Sequence, residues 1–133
     1  MDVNKSILQD VRVAVGLSSD SSDFDTELLM HINGAIGRLN QNGIGNLSFV
    51  SDDETKWIDL QDSTQIDGNK YFQMVPLFVF MSTKLLFDPP PPSTVQYYQS
   101  NIDQLLWRLK IAYEAPLTTT TTTYSEFAGD LFL

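Results

Sequence analysis

The 133-residue sequence has no cysteine. Disulfides, thiolate nucleophiles and cysteine-based zinc sites are thereby excluded, and the redox compartment leaves no trace in the chain. Histidine occurs once, as His31, so no Ser-His-Asp or Cys-His set with a second supporting histidine can be built. Positive charge is scarce: 8 Lys+Arg stand against 17 Asp+Glu, a net charge of −9. Phosphate affinity comes mainly from lysine and arginine, so sequence-specific DNA binding is disfavoured. No apolar run reaches the roughly 18 residues that a membrane span needs. The longest candidate, residues 74–87, contains Pro76, Ser82, Thr83 and Lys84. The opening MDVNKSILQDVRVAVG is too polar for a secretion signal, and a soluble, intracellular protein is expected. A glycine-rich phosphate loop is missing too, because Gly34, Gly37, Gly43 and Gly45 precede no lysine-bearing helix.

What is present is core-forming sequence, with 42% hydrophobic and only 19% charged residues. Ile7, Val11 and Val15 recur every fourth residue, which predicts a first helix over 4–15 ended by Gly16, with Leu17 as the accompanying apolar contact. A second helix is marked by Leu29, Ile32, Ile36 and Leu39, capped by Asp23 or Asp25 and ended at 42–45. Gly34 and Gly37 inside it suit a close helix approach. Ser51 and Glu54 have capping-box spacing, which predicts a short helix to about Leu60, with loop over 61–69. Residues 71–87 are apolar nearly all round, as in a central helix buried on several sides or at a subunit interface. Pro76 either starts or kinks that helix, and a buried strand over 75–81 is the competing reading. Pro89–Pro92 then forces an elbow. Ser93 and Gln96 offer another capping box before a stripe of Val95, Tyr98, Ile102, Leu105, Leu106 and Leu109.

The fold class is therefore all-α, a small bundle of about four to five helices with a long antiparallel C-terminal pair. Residues 1–115 form the helical domain. Residues 116–133 form a threonine-rich extended arm, because Thr118–Thr123 favour extended chain. The arm ends in Tyr124, Phe127, Leu131, Phe132 and Leu133, which suits docking as well as a frayed terminus.

Reactive constellations are hard to find. His31 lies beside an apolar stripe, as a packed or surface histidine does. Asp20, Asp23, Asp25 and Glu27 lack the glycine and distal glutamate of a calcium loop, and helix capping accounts for them. Asp52-Asp53-Glu54 is a helix start before it is an acid–base pair. Trp57 and Trp107 have few basic neighbours and suit core or interface anchoring better than base stacking. Neither a catalytic residue nor a metal or cofactor is expected.

Three stretches carry a resemblance. FDTELLMHINGAIGRLNQNGIG (Phe24–Gly45), an apolar helix ending in LLFDPP (Leu85–Pro90) and a helix ending in LLWRL (Leu105–Leu109) occur in that order, with Trp57 on a short acidic segment between the first two. Together, over about residues 5–113, they resemble the head–tail connector, or head-completion adaptor, proteins of tailed bacteriophages. The chain departs from that pattern at Pro76, Pro91, Pro92 and the threonine-rich tail. The resemblance implies a structural, non-catalytic virion protein, present in the host cytoplasm during assembly. It implies a dodecameric ring beneath the portal protein that extends the DNA channel and carries the stopper or tail-completion protein.

Charge is unevenly placed: residues 1–45 carry −3, 46–69 carry −5, 70–115 carry +1 and the tail −2. Asp52, Asp53, Glu54, Asp59, Asp62 and Asp67 are candidates for lining a channel through which DNA slides without sticking, the alternative being a solvated loop. Thr118, Thr120, Thr122, Tyr124, Phe127, Leu131, Phe132 and Leu133 are candidates for an arm on the portal or a neighbour. Phe72, Phe78, Phe80, Phe87 and Trp107 are candidates for subunit packing. The rival class is an acidic protein that mimics DNA and inhibits a nucleic-acid enzyme; it would spread its acids along one face.

Overall fold

The computed structural model describes residues 4–45, 49–61 and 72–120, with side chains as far as Glu114. These form four α-helices and one 3-10 turn, with no strand among the described residues. Helix α1 spans Ile7–Ala14 and starts at Ser6, whose hydroxyl accepts from the Gln9 N–H at 3.2 Å. It closes at Gly16, where φ is 95°. The Gly16 N–H bonds the Val13 carbonyl and the Leu17 N–H bonds that of Arg12, which satisfies two terminal carbonyls and turns the chain. Leu17 packs against the core as expected.

Helix α2 spans Asp25–Gln41 and ends the same way at Gly43. Its start departs from expectation: Phe24 occupies the cap, with no side-chain cap bond. Asp25 is unavailable for capping because its carboxylate is held by Arg12. The buried edge is Leu28, Ile32, Ala35, Ile36 and Leu39, so Leu28 takes the place expected for Leu29, which packs at the flank. Gly34 and Gly37 mediate no close approach within the chain, since a Cβ on either would meet no atom within 4 Å. Gly45 differs: its φ is 77° and a Cβ there would lie 3.0 Å from the Leu60 carbonyl.

The short helix expected from Ser51 is displaced. Asp52 accepts from the Glu54 N–H at 2.9 Å, an Asx-type turn, and the helical turn forms only at Trp57–Leu60, where Asp59 accepts from the Lys56 N–H at 2.9 Å. Residues 55–57 are held extended beside the start of α1. The Ile7 N–H bonds the Thr55 carbonyl and the Trp57 N–H bonds that of Lys5. A segment tied in this way cannot also begin a helix at Ser51.

Helix α3 spans Met74–Phe87, which settles helix over strand. Pro76 stands in its first turn, where an N–H has no intrahelical partner to lose, so the helix starts there rather than kinking. Helix α4 spans Pro92–Thr120. Pro92 is its first residue and the Pro91 carbonyl accepts from Val95, so Ser93 lies inside the first turn instead of capping it. The helix also runs past Pro116, and Thr118–Thr120 are helical where extended chain was expected. Propagating an existing helix needs no new nucleus, and a deficit of up to ~0.7 kcal/mol per threonine is small beside the roughly 3 kcal/mol of the interior Pro116 that the helix also carries.

Helix α3 packs against α1, α2 and α4, and it occupies the centre of the bundle. One apolar cluster joins Ile7, Leu28, Trp57, Phe72, Phe78 and Leu109 from every part of the described chain.

Candidate functional site

The acidic segment around residues 49–56 has little apolar content, and polar bonds fix it to the bundle. At their centre is Arg12, whose side chain is 3% exposed. Its guanidinium donates to Asp25 at 3.0 and 2.6 Å, to Asp53 at 3.1 and 3.4 Å and to the Ser19 carbonyl at 2.7 Å. The Asp25 hydrogen bond is the main reason that its pKa is raised, with Asp53 adding to the effect and burial opposing it. Two further bonds hold the same region. The Asn33 amide donates to the Val50 carbonyl at 2.8 Å and accepts from the Val50 N–H at 2.9 Å. Trp57, fully buried, donates its indole N–H to Asp10 at 2.8 Å and meets Phe80 edge-on at 5.6 Å.

Asp53, a candidate channel residue, is thus bonded to Arg12 and to Gln9. Asp52, Glu54 and Asp59 are exposed. Asp62 and Asp67 lie outside the described residues. Arg12 and Asn33 were not singled out by sequence. The signal for Arg12 is a charge on the apolar stripe of α1, four residues after Leu8 and three before Val15. Asn33 carries none, because its partner is a backbone seventeen residues away.

The candidate packing residues separate into two groups. Phe72 and Phe78 are fully enclosed in the chain's own core. Phe80 faces Trp57, and Phe87 meets Phe24 edge-on at 5.4 Å. Only Trp107 presents its ring outward, with 64% of the residue exposed, and Tyr97 and Ile111 are exposed on the same helix. Exposed apolar side chains also occur on α2 and the segment beside it, at Met30 (63%) and Phe49 (75%). They border an open hollow of about 560 Å³.

Reactive groups do not converge. Among the described residues no three His, Asp or Glu side chains gather as metal ligands. His31 meets Glu27 at 3.3 Å, one turn earlier on its own helix. Asp20, of the calcium-like run, accepts from the Ser18 hydroxyl, which together with its own backbone holds its pKa below the ordinary carboxylate value. An open groove of about 960 Å³ beside α1 is lined by Asp10, Asp53, Lys5 and Lys56, which form ties within the fold.

A family model described as phage connector protein matches residues 7–116. The chain belongs to that family. No curated protein and no solved structure matches it. The match starts on the first residue of α1 and ends within α4, so it contains the Arg12 cluster, Trp57 and the exposed face of α4.

The connector has, among its described residues, no helix long and apolar enough to cross a membrane. Of the candidate arm residues, Thr118 and Thr120 lie on α4 beyond its described side chains. Thr122, Tyr124, Phe127, Leu131, Phe132 and Leu133 lie outside the described residues.

Proposed function

We propose that this connector assembles as a dodecameric ring beneath the portal protein, where it prolongs the DNA channel and seats the stopper or tail-completion protein. The role involves no catalysis, and its place is the head–tail interface of the virion after assembly in the host cytoplasm. Family membership over residues 7–116 carries the proposal. The uncovered apolar side chains at Met30, Phe49 and Trp107 support it, since a subunit of a ring needs surfaces for its neighbours.

The exposed acids Asp52, Glu54 and Asp59 suit a channel wall, Asp53 anchors the segment through Arg12, and Asp62 and Asp67 are assigned to the same role from the sequence. A wall of one sign repels phosphates along its length and offers few sites of neutralisation, so DNA passes without sequence-specific binding. Residues 116–133 serve as the portal or neighbour arm, with Tyr124, Phe127, Leu131, Phe132 and Leu133 as its anchors. Commitment of Asp25 and Asp53 to Arg12 counts against an acidic DNA mimic, which needs its acids free.

Electron microscopy of particles made with and without this chain tests the role. Expected are DNA-filled heads without tails when the chain is missing, and a ring under the portal when it is present. Normal tailed particles in its absence overturn the proposal. Chains truncated before Pro116 should remain folded yet fail to attach to portal-bearing heads. In a ring reconstruction, Asp52, Glu54 and Asp59 on the outer rim would remove the channel wall.

A further inference from the structure

We infer that the outer face of α4 on one copy of this chain docks against the outer face of α2 on the next, head to tail. The inference rests on the ring reading and supplies its contact surfaces. Trp107 stands two residues from both Leu105 and Leu109, which are buried, so it projects about 200° away from the core side of α4. Met30 stands in the same relation to Leu28 and Ile32 on α2. Helix α3 packs against both helices, and Arg38 of α2 reaches Asp103 of α4 at 3.3 Å.

The two faces differ in charge. Beside Trp107 are Arg108 and Lys110, both exposed and without an ion pair among the described residues, while Asp103, one turn earlier, is offset by Arg38. Beside Met30, the hollow it shares with Thr26 is rimmed by Asp23 and Glu27. A second hollow adjoins it, about 560 Å³ in volume and lined by Leu29, Met30 and Phe49, with room for an indole ring. Pairing like faces would set Arg108 and Lys110 against themselves, or Asp23 and Glu27 against themselves. Pairing unlike faces joins opposite charges and places Trp107 in the apolar hollow. Such a contact is heterologous, so repetition closes a ring or extends a filament. Gly34, on the same side of α2 and with open space around it, gives the incoming helix a flat surface.

The lack of native cysteine makes the test direct. Full-length chains carrying Thr26→Cys or Gln104→Cys, both exposed positions, are mixed and oxidised. The expected result is a mixed disulfide in excess of random pairing, and a ladder of oligomers from the double variant. Arg108→Glu with Lys110→Glu should lower the yield by at least about tenfold, and Asp23→Lys with Glu27→Lys on the other chain should restore it. Gly34→Ala should raise the melting temperature of the monomer while lowering the yield. A mixed disulfide at or below the random share, or a predominance of Gln104–Gln104 position pairing, overturns the inference. So does an unchanged yield with Gly34→Ala. Rings on particles without this cross-link would sink the pairing alone, whereas the cross-link without rings on particles would sink the ring reading alone.

Discussion

From α1 to the 3-10 turn, directional side-chain bonds between segments far apart in sequence supplement the apolar core, whereas α3 and α4 are joined by apolar packing. Arg12, Asn33 and Trp57 each add a directional bond between segments that also share the apolar core. In α3 the hydroxyls of Ser82 and Thr83 are instead buried with no hydrogen-bond partner among the described residues. A segment as acidic as 49–56 has too few apolar groups to be held by burial, so hydrogen bonds fix its place. An apolar helix such as α3 needs no such bonds, and its polar atoms can be left unmatched at moderate cost. Both halves share the core, and only the first adds a set of long-range directional bonds to it.

The largest test of that contrast is truncation in each half. Trp57→Ala and Phe78→Ala should each lose about 3–5 kcal/mol in urea unfolding. The Trp57 variant should also free Asp10 and loosen the 55–57 bridge, visible as faster amide exchange at Ile7. Equal exchange in both variants would erase the distinction.

Asp25→Asn should cost about 2 kcal/mol, because it leaves a buried guanidinium short of one carboxylate. A double-mutant cycle with Arg12→Met should show strong coupling between the two sites, and simple additivity would contradict the cluster. Arg12 has a folded pKa raised above its ordinary value, chiefly by its hydrogen bond to Asp25. Its contribution is therefore complete below that value and is lost only as pH rises through the higher folded value. Between about pH 6 and 9, deprotonation of Arg12 should produce no loss of stability.

Thr83→Val should stabilise the chain by about 1 kcal/mol, since it replaces an unbonded buried hydroxyl with a methyl of similar shape. A loss of stability would show that the hydroxyl is bonded in solution. Trp107→Ala should change monomer stability by no more than about 0.5 kcal/mol, because its ring lies outside the core. The smallest effect is expected at Asp20. Ser18→Ala should raise its pKa toward the ordinary carboxylate value, followed by NMR titration. The depressed pKa means that its contribution exists above that ordinary value and disappears as pH falls through the lower folded one.

Much of the fold was legible because its signals are local. Gly16 and Gly43 end helices by their own backbone freedom, and Pro89–Pro92 interrupts the chain wherever it lies. The apolar stripes place one face of each helix inward, although α2 turned enough for Leu28 to replace Leu29. The two failed capping boxes have a common cause. Ser51 and Ser93 could each cap a helix, but nearby backbone is committed elsewhere, residues 55–57 to Lys5 and Ile7 in one case and Thr94 and Val95 to the Pro91 carbonyl in the other.

The candidate surfaces were less legible, for a physical reason. Periodicity shows that a residue is apolar, and it does not show whether its own chain covers it. Phe78 and Trp107 looked alike in sequence, yet one is enclosed by the bundle and the other faces outward. By itself, the sequence determined an all-helical chain, its main breaks, its family resemblance and the scarcity of positive charge. Only the tertiary structure decided that Asp25 and Asp53 close around Arg12, and which aromatic rings remain uncovered. Those outcomes depend on contacts between distant segments, and such contacts exist only once the helices have packed.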